Sequence, residues 1–142
     1  MKRGSNFSAS LRQSFFKKGS LVMQNTFSLK KNSEFARMYK RGKFFAGKFL
    51  VIYVLNNNMN INRLGITVSK KNGKSVRRNR IRRLIRENYR LYESYIKKGN
   101  DVIFVARAQE LIPDFLEVKK EMRFLLKKIG IFDTEKWQCQ EC

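Results

Sequence analysis

The 142-residue chain has no histidine, one proline and two cysteines, and sets only 11 carboxylates against 32 Lys and Arg. Each scarcity excludes a class of function. Without imidazole, no side chain trades protons near neutral pH at its ordinary pKa, and the commonest metal ligand is missing. Cys139 and Cys142 fall in the last four residues. They amount to half of a four-ligand zinc site with no histidine to complete it, and read as incidental thiols of a reducing cytoplasm. A redox Cys-x-x-Cys would open a helix within a fold rather than close a tail. Carboxylates are badly placed too: Glu34 is the only one before Glu87, whereas a magnesium-dependent protein nuclease gathers several at one point. The later acids are mostly spread along helix faces, where solvated pairing with Lys is the expected role. No apolar run approaches the roughly 18–20 residues of a spanning helix, so no membrane partner is expected.

Positive charge is what remains. The formal net charge is +21, and 42% of residues are hydrophobic, enough for one core with tails. Such an excess repels itself in a small fold and favours an anionic partner. Residues 1–22 are rich in Lys, Arg and Ser and contain no acid. A flexible basic arm, a transit-like leader and an extension upstream of a start at Met23 all fit that composition.

No internal repeat is visible. Asn32 is a plausible N-cap for a short helix carrying Phe35, Met38 and Tyr39 and stopping at Gly42. Residues 49–55 form a continuous apolar, β-branched and aromatic run, a buried strand. An Asn-rich hairpin loop, 56–62, leads to the alternating residues 63–69, a second strand antiparallel to the first. After the 70–75 loop a long helix is expected over about 76–96, ended by Lys97, Lys98 and Gly99. Residues 101–107 are a further apolar strand. Asp114 and Glu117 after Pro113 open a last helix, whose stripe is Phe115, Val118, Met122, Leu125, Leu126 and Ile129. The class is α+β, a two-layer sandwich with about four strands and three helices.

Residues 69–90 hold ten Lys or Arg and one Glu, and the charge is arranged. At about 100° per residue, Ile81, Leu84, Ile85, Tyr92 and Tyr95 share one face, while Asn79, Arg82, Arg83, Arg86 and Arg90 share the other. A stripe of planar guanidinium donors suits phosphate oxygens, and its cations repel one another until something neutralises them. Lys70, Lys71, Lys74, Arg77, Arg78 and Arg80 extend the patch. Asn79 interrupts it, to bond a base edge or to fix the turn. Phe35, Tyr39 and Tyr53 are either core or a stacking platform for single-stranded RNA beside a basic groove.

The run Lys70 to Glu87, with Arg78-Asn79-Arg80 at its centre, closely resembles the signature of the bacterial ribonuclease P protein component. Residues 29–35, 64–71 and 101–106 are similar to that family's opening, the strand before its motif and its last strand. The likeness spans about 27–132, leaving 1–26 as a basic extension and 133–142 as a tail. Arg77 departs from the apolar or small residue common there. The resemblance implies a sheet of four strands in the order α-β-β-β-α-β-α, with a left-handed β-α-β crossover against the usual rule. It implies a partner RNA that holds magnesium and cleaves the 5′ leader from precursor tRNA, the protein alone being inactive, with other small RNAs as further substrates. Arg78, Asn79, Arg80, Arg82, Arg83 and Arg86 would then meet the catalytic RNA. Phe35, Tyr39, Tyr53 and Lys70 would line the leader cleft, with Lys71, Lys74, Arg77 and Arg90 as auxiliary phosphate contacts. A structural RNA-binding protein and a protein-only nuclease are the competing readings. The missing histidine and unclustered acids count against the second.

Overall fold

A computed structural model describes residues 26–141. Residues 1–25 of the expected basic extension, and Cys142, lie outside them. The elements are β1 (Thr26–Ser28), α1 (Asn32–Arg41), β2 (Lys43–Ala46), β3 (Leu50–Asn56), β4 (Asn62–Val68), α2 (Ser75–Tyr92), β5 (Asn100–Ala106), α3 (Phe115–Ile129) and α4 (Thr134–Glu141). The architecture is α+β, as the patterning predicts. The sheet has five strands rather than four, because the short β1 adds an edge beside β4. Residues 134–141, expected as tail, form a fourth helix. Its Trp137 sits among Tyr92, Tyr95 and Phe132, 5.0 Å from the Tyr95 ring.

Strand order is β1-β4-β5-β3-β2. The expected pairing of the two strands around the Asn-rich loop is therefore corrected. β3 and β4 run antiparallel, but β5 lies between them, antiparallel to β3 (Ile52 opposite Phe104) and parallel to β4 (Leu64 opposite Val102). The physical reason is burial. β5 is apolar on both faces, with Val102, Ile103 and Phe104 fully buried, and such a strand belongs in the middle of a sheet. The Asn-rich loop is instead hooked onto the turn before β5, Asn57 donating to the Gly99 carbonyl and Gly99 to that of Ile61.

Period-two alternation assigns the faces. Leu50, Ile52, Val54, Leu64, Val68, Val102 and Phe104 point to one side, under α2 and α3, which bring Ile81, Ile85, Tyr89, Tyr92, Val118, Met122, Leu125 and Leu126. Tyr89, absent from the expected apolar stripe, is fully buried, while Leu84 and Tyr95 are half-exposed. On the opposite side α1 lays Met38 against Ile103 and Leu29, with Phe35 and Tyr53 packed around them. Asp114 closes the expected capping box with Glu117. Asn32 does not cap α1: the cap is Lys31, whose carbonyl accepts from Glu34 and Phe35, a one-residue difference at a frayed end.

Candidate nucleic-acid interface

The α1 face of the sheet carries Gly65 and Thr67 of β4 and Tyr53 of β3, with Phe35 of α1 packed over Gly65. Phe35 and Tyr39 lie four residues apart and so share a face of α1. Their ring centroids are 6.4 Å apart. Tyr39 meets Tyr53 edge-on at 4.9 Å, and Tyr53 stacks on Phe44 of β2 at 5.6 Å. The Tyr39 hydroxyl is tied to Thr67 Oγ1 at 2.9 Å, which fixes the ring while leaving it 41% exposed. The three expected aromatics thus come together, with different degrees of exposure. Phe35 and Tyr53 are half-buried; Tyr39 is open. Phe44, at 64% exposure, is the most open ring of the ladder and was missed by sequence reasoning. Its signal was the Phe-Phe pair just ahead of a strong strand.

The arginine stripe stands where the wheel puts it. Asn79, Arg80, Arg83 and Arg86 are exposed, Arg78 and Arg82 half-exposed. Asn79 Oδ1 accepts from Arg82 at 3.2 Å, which aims that guanidinium. Arg78 Nε donates to the Gly73 carbonyl, closing the loop ahead of the helix. Lys70, Lys71 and Lys74 are exposed around that loop. Two auxiliary candidates are placed differently. Arg77 donates to the carbonyls of Gln109 and Glu110 and straps the loop after β5. Arg90 is half-buried, with its Nε out of reach of any acceptor; burial, then neighbouring Arg86, lowers its pKa from the ordinary value.

Stripe and ladder meet. Arg82 and Arg86 line one cleft of about 190 Å³ with Phe35, Gly65, Phe27 and Leu29. The cleft therefore has aromatic and backbone walls on the α1 side and guanidinium groups on the α2 side.

Most of the later acids are expected on solvated helix faces, but Glu93 and Asp101 are buried. Asp101 is fully buried at the start of β5. It accepts from Arg63 Nε at 2.8 Å and Nη2 at 2.6 Å and from Asn57 at 2.9 Å, with Arg37 at 3.8 Å. Arg63 also pairs with Glu34. Bonding to Asp101 raises the Arg63 pKa still further above its usual value. The network ties α1 to β4 and β5, so its work is to seat the helix that carries Phe35 and Tyr39.

A family model, Ribonuclease P, matches residues 23–130. The chain belongs to the ribonuclease P protein family. It is 46% identical to the ribonuclease P protein component of Clostridium kluyveri over 110 residues, 76% of this chain and 98% of that one. Identity to the Clostridium perfringens component is 48% over 116 residues, 77% and 93% of the two chains. The solved Staphylococcus aureus RNase P protein superposes with a TM-score of 0.69 at 38% identity, over 75% of this chain and 97% of that one. The Thermotoga maritima protein gives 0.65 at 33%, over 71% and 96%. This ribonuclease P protein is accordingly the subunit of a tRNA-processing endoribonuclease that works with a partner RNA.

Proposed function

We propose that this subunit grips two RNAs at once. The arginines of the α2 stripe, Arg80, Arg82, Arg83 and Arg86 foremost, bind the catalytic RNA, while Phe35, Tyr39, Tyr53 and Phe44 hold the single-stranded 5′ leader of precursor tRNA. The observation that carries the reading is the shared cleft: Arg82 and Arg86 face the same space as Phe35. Bases stack on the rings, tolerating sequence because every base has a π-face, and phosphates meet the guanidinium groups. Lys70, at the end of the floor strand, extends the cationic rim. Leader capture positions the scissile phosphodiester; it does not break it.

Magnesium belongs with the RNA in this reading. Among the described residues no group of three or more Asp, Glu, Cys or His could hold an ion, and the cationic surface would repel one. The protein's contribution is electrostatic: its cations lessen repulsion between two polyanions and so lower the magnesium the RNA requires.

The test is reconstitution. Full-length protein added to a bacterial ribonuclease P RNA should speed correct 5′ processing of precursor tRNA at low magnesium, and protein alone should leave it uncut. Tight RNA binding without any gain in processing would favour a purely structural RNA-binding role.

A further inference from the structure

β2 is an edge strand, and among the described residues its outer edge pairs with no other strand. Adjacent side chains on it point to opposite faces. Phe44 joins the aromatic ladder through Tyr53. Phe45 goes to the other face, where it meets Phe124 of α3 edge-on at 6.1 Å. These two rings stay 36% and 50% exposed, and the Lys128 ammonium stands 5.9 Å from each ring centre. Along α3, Lys120, Phe124 and Lys128 recur four apart and form one row, with both lysines exposed.

We propose that this patch is a second stacking step for single-stranded RNA. A leader longer than the cleft passes Phe44, rounds the β2 edge and lays a base on Phe45 and Phe124, its phosphates meeting Lys120 and Lys128. The inference rests on leader binding in the cleft and adds a distal subsite to it. Continuity supports it, since Phe44 and Phe45 are consecutive residues on opposite sides of one strand. Charge selects RNA over a second copy of the chain. Two molecules at +21 each would bring these lysines against their own counterparts, and Lys43 at the start of the edge strand discourages strand addition.

The experiment compares substrates on the holoenzyme formed by the full chain and a bacterial ribonuclease P RNA. Mature tRNA is measured beside precursors with a short leader of roughly 5 nucleotides and a long one of roughly 12, lengths within the range single-stranded sites occupy. The long leader should bind at least about fivefold tighter than the short one, the lower end of what one stacked base contributes. Phe124→Ala should erase that increment and keep the short leader's advantage over mature tRNA. Because Phe124→Ala also touches Phe45, the double variant Lys120→Gln/Lys128→Gln, which alters exposed amines alone, should reduce the same increment. The proposal is overturned if wild type gains nothing from length while still preferring a short leader, or if the variants keep the increment. It is overturned equally if Phe124→Ala instead dissociates a dimer. If wild type fails to distinguish even a short leader from mature tRNA, the cleft reading fails and the distal subsite falls with it.

Discussion

Gly65 lies directly beneath Phe35: a Cβ on Gly65 would stand 2.8 Å from both Cε1 and Cζ of the ring. The floor of the cleft is therefore set by a missing side chain. Gly65→Ala must push the ring outward or strain β4, since Ile103 Cγ1 closes the other side at 3.2 Å. Overpacking of this kind costs about 1–3 kcal/mol. We expect urea denaturation to register that loss, and the preference for precursor over mature tRNA to shrink with it. Unchanged leader affinity would mean that Phe35 has no part in leader binding.

Phe44 offers the cleaner separation of stacking from packing. Its exposed ring contributes little to the core, so Phe44→Ala should leave the melting temperature nearly unchanged. Leader affinity should fall by roughly 1–3 kcal/mol, the worth of a stacked base. Phe35→Ala should lower both quantities, because half of that ring is buried over Gly65.

Arginines that neutralise phosphates release counterions, which makes affinity steeply salt-dependent. Replacing Arg82 and Arg86 by Ala should flatten the slope of log affinity against log salt by about one unit per lost contact. Arg77→Ala should behave otherwise. With its guanidinium engaged by two carbonyls of the strap, its loss should lower stability and leave the slope nearly unaltered.

Alkaline pH probes the buried side of the same helix. Burial pushes the Tyr89 phenol up to about 12, against a bond from Thr26 that works the other way. An unfolded tyrosine titrates near 10, so folding favours the neutral form. That contribution is fully present below about pH 10 and is lost as the pH rises through about 12; two units correspond to about 2–3 kcal/mol at most. Wild type should therefore lose stability more steeply across this window than Tyr89→Phe. The variant itself starts about 1 kcal/mol lower for want of the 3.1 Å bond to Thr26.

Local chemistry was the legible part of this chain. The arginine stripe, the capping box at Asp114 and the alternation of β4 all follow from spacing within a few residues, and the aromatic trio could be named because α1 and β3 were readable. Pairing was not legible. Alternation says which face a side chain takes but not which strand lies alongside, so β3 and β4 read as neighbours although β5 separates them. Asp101 escaped notice because its partners Arg63, Asn57 and Arg37 are distant in sequence, and nothing local marks a carboxylate as buried. Phe44 and Phe124 lie outside any periodic apolar stripe, and their partners Tyr53 and Phe45 are supplied by the fold.

The central position of β5 also sets an order of events. Every cation of the arginine helix, and every ring of the cleft, is synthesised before the strand that joins β3 to β4. Until residue 106 is available, the ribosome carries a strongly basic chain in which the arginine helix and the aromatic ladder have no common support. Pairings that span this much sequence form slowly, and self-repulsion opposes the collapse. A polyanion that neutralises α2 early would hasten closure of the sheet, so the partner RNA would act on this subunit's birth as well as on its work.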